Sequence, residues 1–295
     1  MSSHWSAPAT VSTALAHDVA CASPQLCFVT DSEGGVSSYN GTTWSTASPV
    51  VSPEAGQALA CAAVSCYLGD SSGDIATYAG SWGQPIQVDG IANVGELSCP
   101  GSDTCFAGDD GGNLFTFSGG SAAGSDGVFG NSSVDGLSCS STSFCVASDD
   151  QGNVSTFDGT QWSSPAPSGV GTLLGVSCPT TSFCLGNGPN GLVQFDGTSW
   201  STVGGVAPTK SITGISCPTA NFCMVVDDSG DVITDNHGQW TQPYSLDPSA
   251  TPGYIAVIGV ACVSEHFCAV AMNLALVDSS GAYTGMGGFA TTYRN

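Results

Sequence analysis

Short stretches in which small or aliphatic residues alternate with polar ones follow one another along the whole chain. Nowhere do apolar residues recur at the three-to-four spacing of a helix. The run from Gly175 to Ser201, GVSCPTTSFCLGNGPNGLVQFDGTSWS, shows the pattern. An aliphatic segment ends in one Cys, a second starts at the next Cys, a third closes on Phe or Tyr, and a fourth surrounds a Trp. Each segment reads as a short β-strand, and Gly, Asp and Asn mark the turns between them.

Close variants of this run recur from one end of the chain to the other. The pairs Cys21/Cys27, Cys61/Cys66, Cys99/Cys105, Cys139/Cys145, Cys178/Cys184, Cys217/Cys223 and Cys262/Cys268 place successive first cysteines 40, 38, 40, 39, 39 and 45 residues apart. A fixed period of about 40 residues with four strands per unit is the sequence signature of a β-propeller blade. Seven pairs predict seven blades in an all-β fold, with residues 1–295 as a single domain. Trp44, Trp82, Trp162 and Trp200 lie 16 or 17 residues before the next first Cys, and Trp5 lies 16 before Cys21. The segment 1–10 therefore has the register of an outer strand. Since the last repeat lacks its own Trp at that place, the N-terminus is expected to complete the C-terminal blade and leave fewer free edges.

The 14 cysteines form an even, regularly spaced set, which predicts one disulfide per blade between the partners named above and an oxidising, extracellular setting. Zinc is a poor reading, because four ligands would have to converge from units 40 residues apart and the chain has only four His. No apolar run approaches the length of a membrane span. With 2 Lys and Arg against 24 Asp and Glu, the net charge is −22. That deficit of basic groups excludes nucleic acid, which needs Lys and Arg to displace counterions. It also argues against phosphate and carboxylate ligands, for which Arg forks are the usual partners. No nucleophile elbow, zinc-protease helix or phosphate loop is present.

After each second Cys, five blades carry an acidic turn: Asp31-Ser32-Glu33-Gly34, Asp70-Ser71-Ser72-Gly73, Asp109-Asp110-Gly111-Gly112, Asp149-Asp150-Gln151-Gly152 and Asp227-Asp228-Ser229-Gly230. Asp opening a turn and Gly at its positive-φ place is hairpin chemistry. Calcium is the competing reading, with Asp150, Asn153 or Asp231 adding oxygens, although calcium wants six to eight of them. The expectation is therefore no cofactor, with calcium as the alternative.

The motif Phe157-Asp158-Gly159-Thr160-Gln161-Trp162, repeated as Phe195 to Trp200 and more loosely as Tyr39 to Trp44, resembles the Asp-box of sialidase-type propellers with one residue fewer between Asp and Trp. The resemblance covers a few residues per blade and implies a structural hairpin. Sialidase catalysis would need an Arg cluster that this chain lacks, so that activity is not implied. Taken whole, the unit SCPTTSFC…DDxGN…DGTxWS resembles the disulfide-bearing repeats of secreted actinobacterial β-propellers, a resemblance that supports the fold and implies no settled activity.

Residues that depart from the repeat are the candidates for a site. Two before each first Cys stands an aliphatic residue: Val19, Leu59, Leu97, Leu137, Val176, Ile215 or Val260. Three before it, Gly is the rule, broken by Asp18, Ala58 and Glu96. Four before it come His17, Gln57, Gly95, Asp135, Leu174, Thr213 and Ile258. Polar groups thus gather on the inner strands of blades one to four. His17 and Gln57 become candidate ligand-binding residues, and Asp18, Glu96 and Asp135 candidate acid/base carboxylates for glycosidic chemistry. The sixth blade reads Asp235-Asn236-His237-Gly238-Gln239-Trp240 where others carry aromatic-Asp-Gly. A longer connection with Pro243, Tyr244, Asp247, Pro248, Pro252 and Tyr254 follows, and His237 and Tyr244 join the ligand-binding candidates. These residues point to a monomeric, secreted, lectin-like module for neutral carbohydrate or another extracellular polymer. The alternatives are a carbohydrate-active hydrolase or lyase and a protein-interaction or adhesin domain of a larger surface protein.

Overall fold

In a computed structural model of the chain, residues 4–51, 55–88, 92–118, 121–204, 206, 211–246, 255–277 and 283–295 are described. They form a seven-bladed β-propeller of four-stranded antiparallel blades, and no helix occurs among them. Packing divides the chain into two compact units, Met1–Gly56 with Pro208–Asn295, and Gln57–Ala207. The first unit carries blades 1, 6 and 7, and the second carries blades 2 to 5.

In the first unit, blade 1 consists of Ala16–Ser23, Leu26–Asp31, Gly35–Tyr39 and Ser48–Pro49. Blade 7 contributes Ile255–Ser264, Phe267–Val277 and Tyr283–Arg294, and its fourth strand is Ala9–Ser12 from the other end of the chain. The expected N-terminal completion is therefore present, and it reaches further than residue 10. It begins with His4 accepting from the Arg294 amide (2.9 Å) and Trp5 bridging to Tyr293, and it runs on to Ser12 opposite Gly288. The outer strand of blade 3, Ser121–Asp126, is longer, whereas those of blades 1 and 4 are short. Trp44 and Trp162 only bridge to Tyr39 and Phe157, and regular pairing resumes for two residues at Ser48–Pro49 and Ala166–Pro167. Each pair ends on a proline that has no N–H to continue a ladder.

All seven predicted disulfides form: Cys21–Cys27, Cys61–Cys66, Cys99–Cys105, Cys139–Cys145, Cys178–Cys184, Cys217–Cys223 and Cys262–Cys268. Each staples the hairpin between the first two strands of its blade. The second cysteine of every pair is fully buried. Seven such bridges match an oxidising, extracellular environment.

The core lies between neighbouring blades. In the first unit, Val11, Val19, Val29, Tyr39 and Phe267 pack blade 7 against blade 1, while Met224, Val226, Val257, Val260 and Met272 pack blade 6 against blade 7. In the second, Phe106 meets Phe157 and Trp162 of the following blade. Serines just before the first Cys add polar stitches. The hydroxyls of Ser98, Ser138 and Ser216 each accept the amide N–H of the next blade's first Cys (Cys139, Cys178 and Cys262) at 2.9 Å.

In blades 4 and 6 the glycine three residues before the first Cys is required sterically. A Cβ on Gly214 would come within 2.9 Å of the Gly259 Cα, and one on Gly136 within 3.3 Å of the Gly175 Cα, so adjacent inner strands approach too closely for a side chain. The residue before it is set apart by a β-bulge. Ladder pairing skips His17, Gly95, Asp135, Thr213 and Ile258, each of which is the extra residue of its strand. Bulges re-aim side chains and recur beside functional sites, which makes these strand starts the first place to look.

Candidate functional site

The acidic turns are built around their first carboxylate. Asp149, 2% exposed, accepts the amides of Gln151 (3.0 Å) and Asn153 (2.7 Å) on Oδ1 and the Asn153 side-chain N–H (2.8 Å) on Oδ2. Asp109 repeats the arrangement with Asn113, and Asp31, Asp70 and Asp227 accept the corresponding backbone amides of their own turns. These carboxylates each hold their turn through Oδ1, and in blade 1 Asp31 Oδ2 accepts instead from the Ser12 hydroxyl outside the turn, at 2.7 Å. Their neighbours differ: Glu33, Asp110, Asp150 and Asp228 are exposed at the turn tips.

The candidate inner-strand residues sit at the starts of their strands, His17 and Asp18 in the first unit and Gln57, Glu96 and Asp135 in the second. In the first unit His17 is exposed, and the half-buried Asp18 accepts the Val19 amide on Oδ1 at 2.7 Å. Gly259 of blade 7 lies beside Asp18, and a Cβ there would make ordinary contacts with Val19 Cγ1 at 3.7 Å and Asp18 Oδ1 at 3.8 Å. In the second unit Gln57, Glu96 and Asp135 are half-buried on successive blades. Burial holds the Asp135 carboxyl above the usual range; the Ser133 hydroxyl opposes this, and the charges of Asp150 and Asp149 add to it.

None of the six tryptophans is exposed. Trp44 packs on Tyr39 at 5.1 Å between ring centroids, Trp162 on Phe157 at 5.4 Å and Trp200 on Phe195 at 5.4 Å. Their rings take part in packing within and between blades. The Asp-Gly hairpins beneath them are Asx turns. Asp158 Oδ1 accepts the Thr160 hydroxyl and the amides of Thr160 and Gln161, and these bonds hold its carboxyl below the usual range.

Blade 6 breaks this pattern with a chemical consequence. The ladder partner of the second Cys is Tyr39, Tyr78, Phe117, Phe157 or Phe195 in blades 1 to 5 and Asp235 in blade 6. Asp235 is 6% exposed, and its Oδ1 has no hydrogen-bond partner. Burial raises its pKa against the pull of the Gly238 and Gln239 amides and of His237. His237 itself is exposed, sits at φ 55°, and contacts the Asn236 side chain at 2.6 Å. Because the folded state keeps this proton more tightly than the unfolded chain, stability falls as pH rises from the ordinary carboxylate value through the raised one. Asp235→Phe, which restores the residue type of the other blades, is expected to raise the melting temperature by about 2–4 °C at pH 7 and by little at pH 3.5. A gain equal at both pH values would refute the account.

Tyr244, 46% exposed, heads a short extra strand on blade 6 and stacks on Trp5 at 6.4 Å. Asp247, Pro248, Pro252 and Tyr254 of the same connection lie outside the described residues.

One site escaped the sequence reading. A cleft of about 320 Å³ opens in the first unit between the N-terminal strand and blade 1, lined by Thr10, Ser12, Asp31, Glu33, Gly35 and the segment Thr46–Pro49. Its two walls are tied together by the Ala47 amide and the Ser37 hydroxyl, both donating to the Val11 carbonyl at 2.7 and 2.9 Å.

No known family model and no curated protein matches the chain. Its backbone is similar to solved propellers at low identity. YCF48 bound to D1 peptide superposes with a TM-score of 0.72 at 13% identity over 99% of this chain and 95% of that one. The WD40 propeller domain of Doa1 gives 0.73 at 13% over 99% and 97%. The Neurospora crassa Pan2 WD40 domain gives 0.70 at 13% over 100% and 97%. At this identity the likeness is one of fold.

Proposed function

We propose that the chain is a secreted, non-catalytic binding module whose partner is a basic segment of another extracellular polypeptide. The observation that carries this reading is the separation of roles within the acidic turns. The first Asp of each turn is buried and bonded, whereas Glu33, Asp110, Asp150 and Asp228 are exposed to solvent at the tips. The chain has almost no basic residues to neutralise them. Arg294 is tied to the carbonyls of Pro24 and Gly41 and to the Tyr39 hydroxyl, and Lys210 lies outside the described residues. Such a surface attracts cationic partners by long-range steering and rejects anionic ones. A propeller scaffold is compatible with this use, since one similar structure, YCF48, holds a peptide.

Lectin-like recognition of neutral carbohydrate is the second reading, favoured by the hydroxyls of Thr10, Ser12, Thr46 and Ser48 around the cleft. The test is a binding series with Lys- and Arg-rich peptides, their Gln-substituted counterparts and neutral polysaccharides, set against an unrelated protein of equal net charge. The expected result is binding of the basic peptides only, tighter than to the control protein and weakened steeply between 50 and 500 mM salt, about the range over which exposed charges become screened. Equal binding to the control protein, or none at low salt, overturns the reading. Polysaccharide binding insensitive to salt would put the second in its place.

A further inference from the structure

The cleft beside the N-terminal strand is more than a gap, because the blade that forms its floor lacks a cap that blades 3 and 4 have. In blades 3 and 4 the residue four after the turn Asp is an asparagine, and its amide covers Oδ2: Asn113 on Asp109 at 2.7 Å and Asn153 on Asp149 at 2.8 Å. In blade 1 that position is Gly35. Asp31 keeps the same amide bonds on Oδ1, from Glu33 at 3.0 Å and Gly35 at 2.7 Å, while its Oδ2 takes only the Ser12 hydroxyl at 2.7 Å. Ser12 comes from the N-terminal strand, so the clasp that completes blade 7 also supplies one wall and one donor. Asp31 is 4% exposed, yet it lines the cleft together with the exposed Glu33. No basic residue lines it.

From this geometry we infer that the cleft is a subsite for a single lysine or arginine side chain, an inference that rests on the proposed binding of basic polypeptide and assigns it a position. Three features fix the ligand class. Two carboxylates at a site with no cation of its own select a positive group, and a carboxylate oxygen with one hydroxyl donor retains lone pairs for an ammonium or guanidinium N–H. The rim hydroxyls of Thr10, Thr13, Thr46 and Ser48 are further acceptors for such a multi-donor head. The volume, about 320 Å³, is at the small end of ligand pockets and suits one side chain rather than a length of polymer.

Gly35→Asn is the decisive variant, since it installs the cap of blades 3 and 4. Gly35 does not use a positive φ, and because a Cβ there would stand 2.6 Å from Asp31 Oδ2, the Asp31 carboxylate must shift to accept the asparagine as Asp109 and Asp149 do in blades 3 and 4. Glu33→Gln, which removes a charge at an exposed position, serves as the second variant. Binding of N-acetyl-arginine methylamide and N-acetyl-lysine methylamide is followed by chemical-shift titration of the intact protein, with N-acetyl-citrulline methylamide as neutral isostere and methyl glucoside as sugar. Affinity for the basic peptides is measured alongside.

The charged probes should shift resonances of residues 10–13, 31–35 and 46–49, the citrulline should not, and each variant should weaken the charged probes at least about tenfold while melting as the wild type does. Basic peptides that bind equally well to wild type and both variants would overturn the subsite and leave the proposed function standing. Charged probes that bind in the cleft when no basic peptide binds would support the subsite and overturn the wider reading. Methyl glucoside bound there and lost in Gly35→Asn would overturn the cationic ligand in favour of a neutral sugar.

Discussion

Full reduction of the seven disulfides is expected to lower the melting temperature by about 20 °C or to abolish a cooperative transition altogether. Each bridge closes a loop whose cysteines are five or six positions apart. In the chain-entropy account a loop this short contributes about 2 kcal/mol. Seven of them rival the whole net stability of an ordinary domain, about 5–15 kcal/mol. The chain needs this contribution: with 40 Gly and few large side chains outside the blade contacts, it gives up much backbone entropy on folding. The buried second cysteines slow the attack of a reductant on the native fold, so the thiols must be counted after treatment. Calorimetry with and without reductant, together with the double variant Cys139→Ala/Cys145→Ala, checks the claim. The single pair should cost about 2 kcal/mol, and an unchanged transition with all thiols free would refute it.

The disulfides were legible because their signal is local, with two cysteines flanking a hairpin and the pair repeating at a fixed period. The N-terminal clasp was legible for a similar reason, since Trp5 keeps the spacing of the other outer-strand tryptophans. What could not be read depends on one-residue irregularities and on side-chain direction. Strict alternation gives His17 and Asp135 a face by counting back from the cysteine, but the bulge at each of them breaks the count. The sequence sets Asp235 where other blades carry an aromatic residue, but only the structure shows its carboxyl buried opposite Cys223 with Oδ1 unbonded. The cleft was invisible because its walls, Thr10–Thr13 and Thr46–Pro49, come together only when the N-terminus docks on the last blade. Even so, Gly35 in place of the asparagine of blades 3 and 4 was a difference in plain sight. It carried no meaning until Asn113 and Asn153 were seen to cap a carboxylate.

Asp149→Ala is expected to destabilise the protein by about 3–4 kcal/mol, a fall of roughly 8 °C, whereas Asp150→Ala one residue away should change stability by no more than about 0.5 kcal/mol. The difference follows from what each carboxylate does. Asp149 is buried and satisfies three donors: two backbone amides within its own turn and the side chain of Asn153. Removing it orphans all three, and the backbone cannot turn away because Gly152 holds the turn at φ 84° and its carbonyl accepts the Ser168 amide. Partial rehydration of the exposed end keeps the loss below the sum of three fully buried orphans. Asp149→Asn should fall between the two, because it retains one acceptor oxygen but sets its own N–H₂ against the Asn153 donor. Asp150 is exposed, and its side chain accepts only from the neighbouring Gln151 amide group at 3.0 Å. The pair therefore separates turn architecture from ion binding. If the turn held calcium through Asp150 and Asn153, a chelator would lower the melting temperature of the wild type and leave Asp150→Ala unmoved. If it is a structural turn, the chelator changes neither, and Asp149 alone carries the cost.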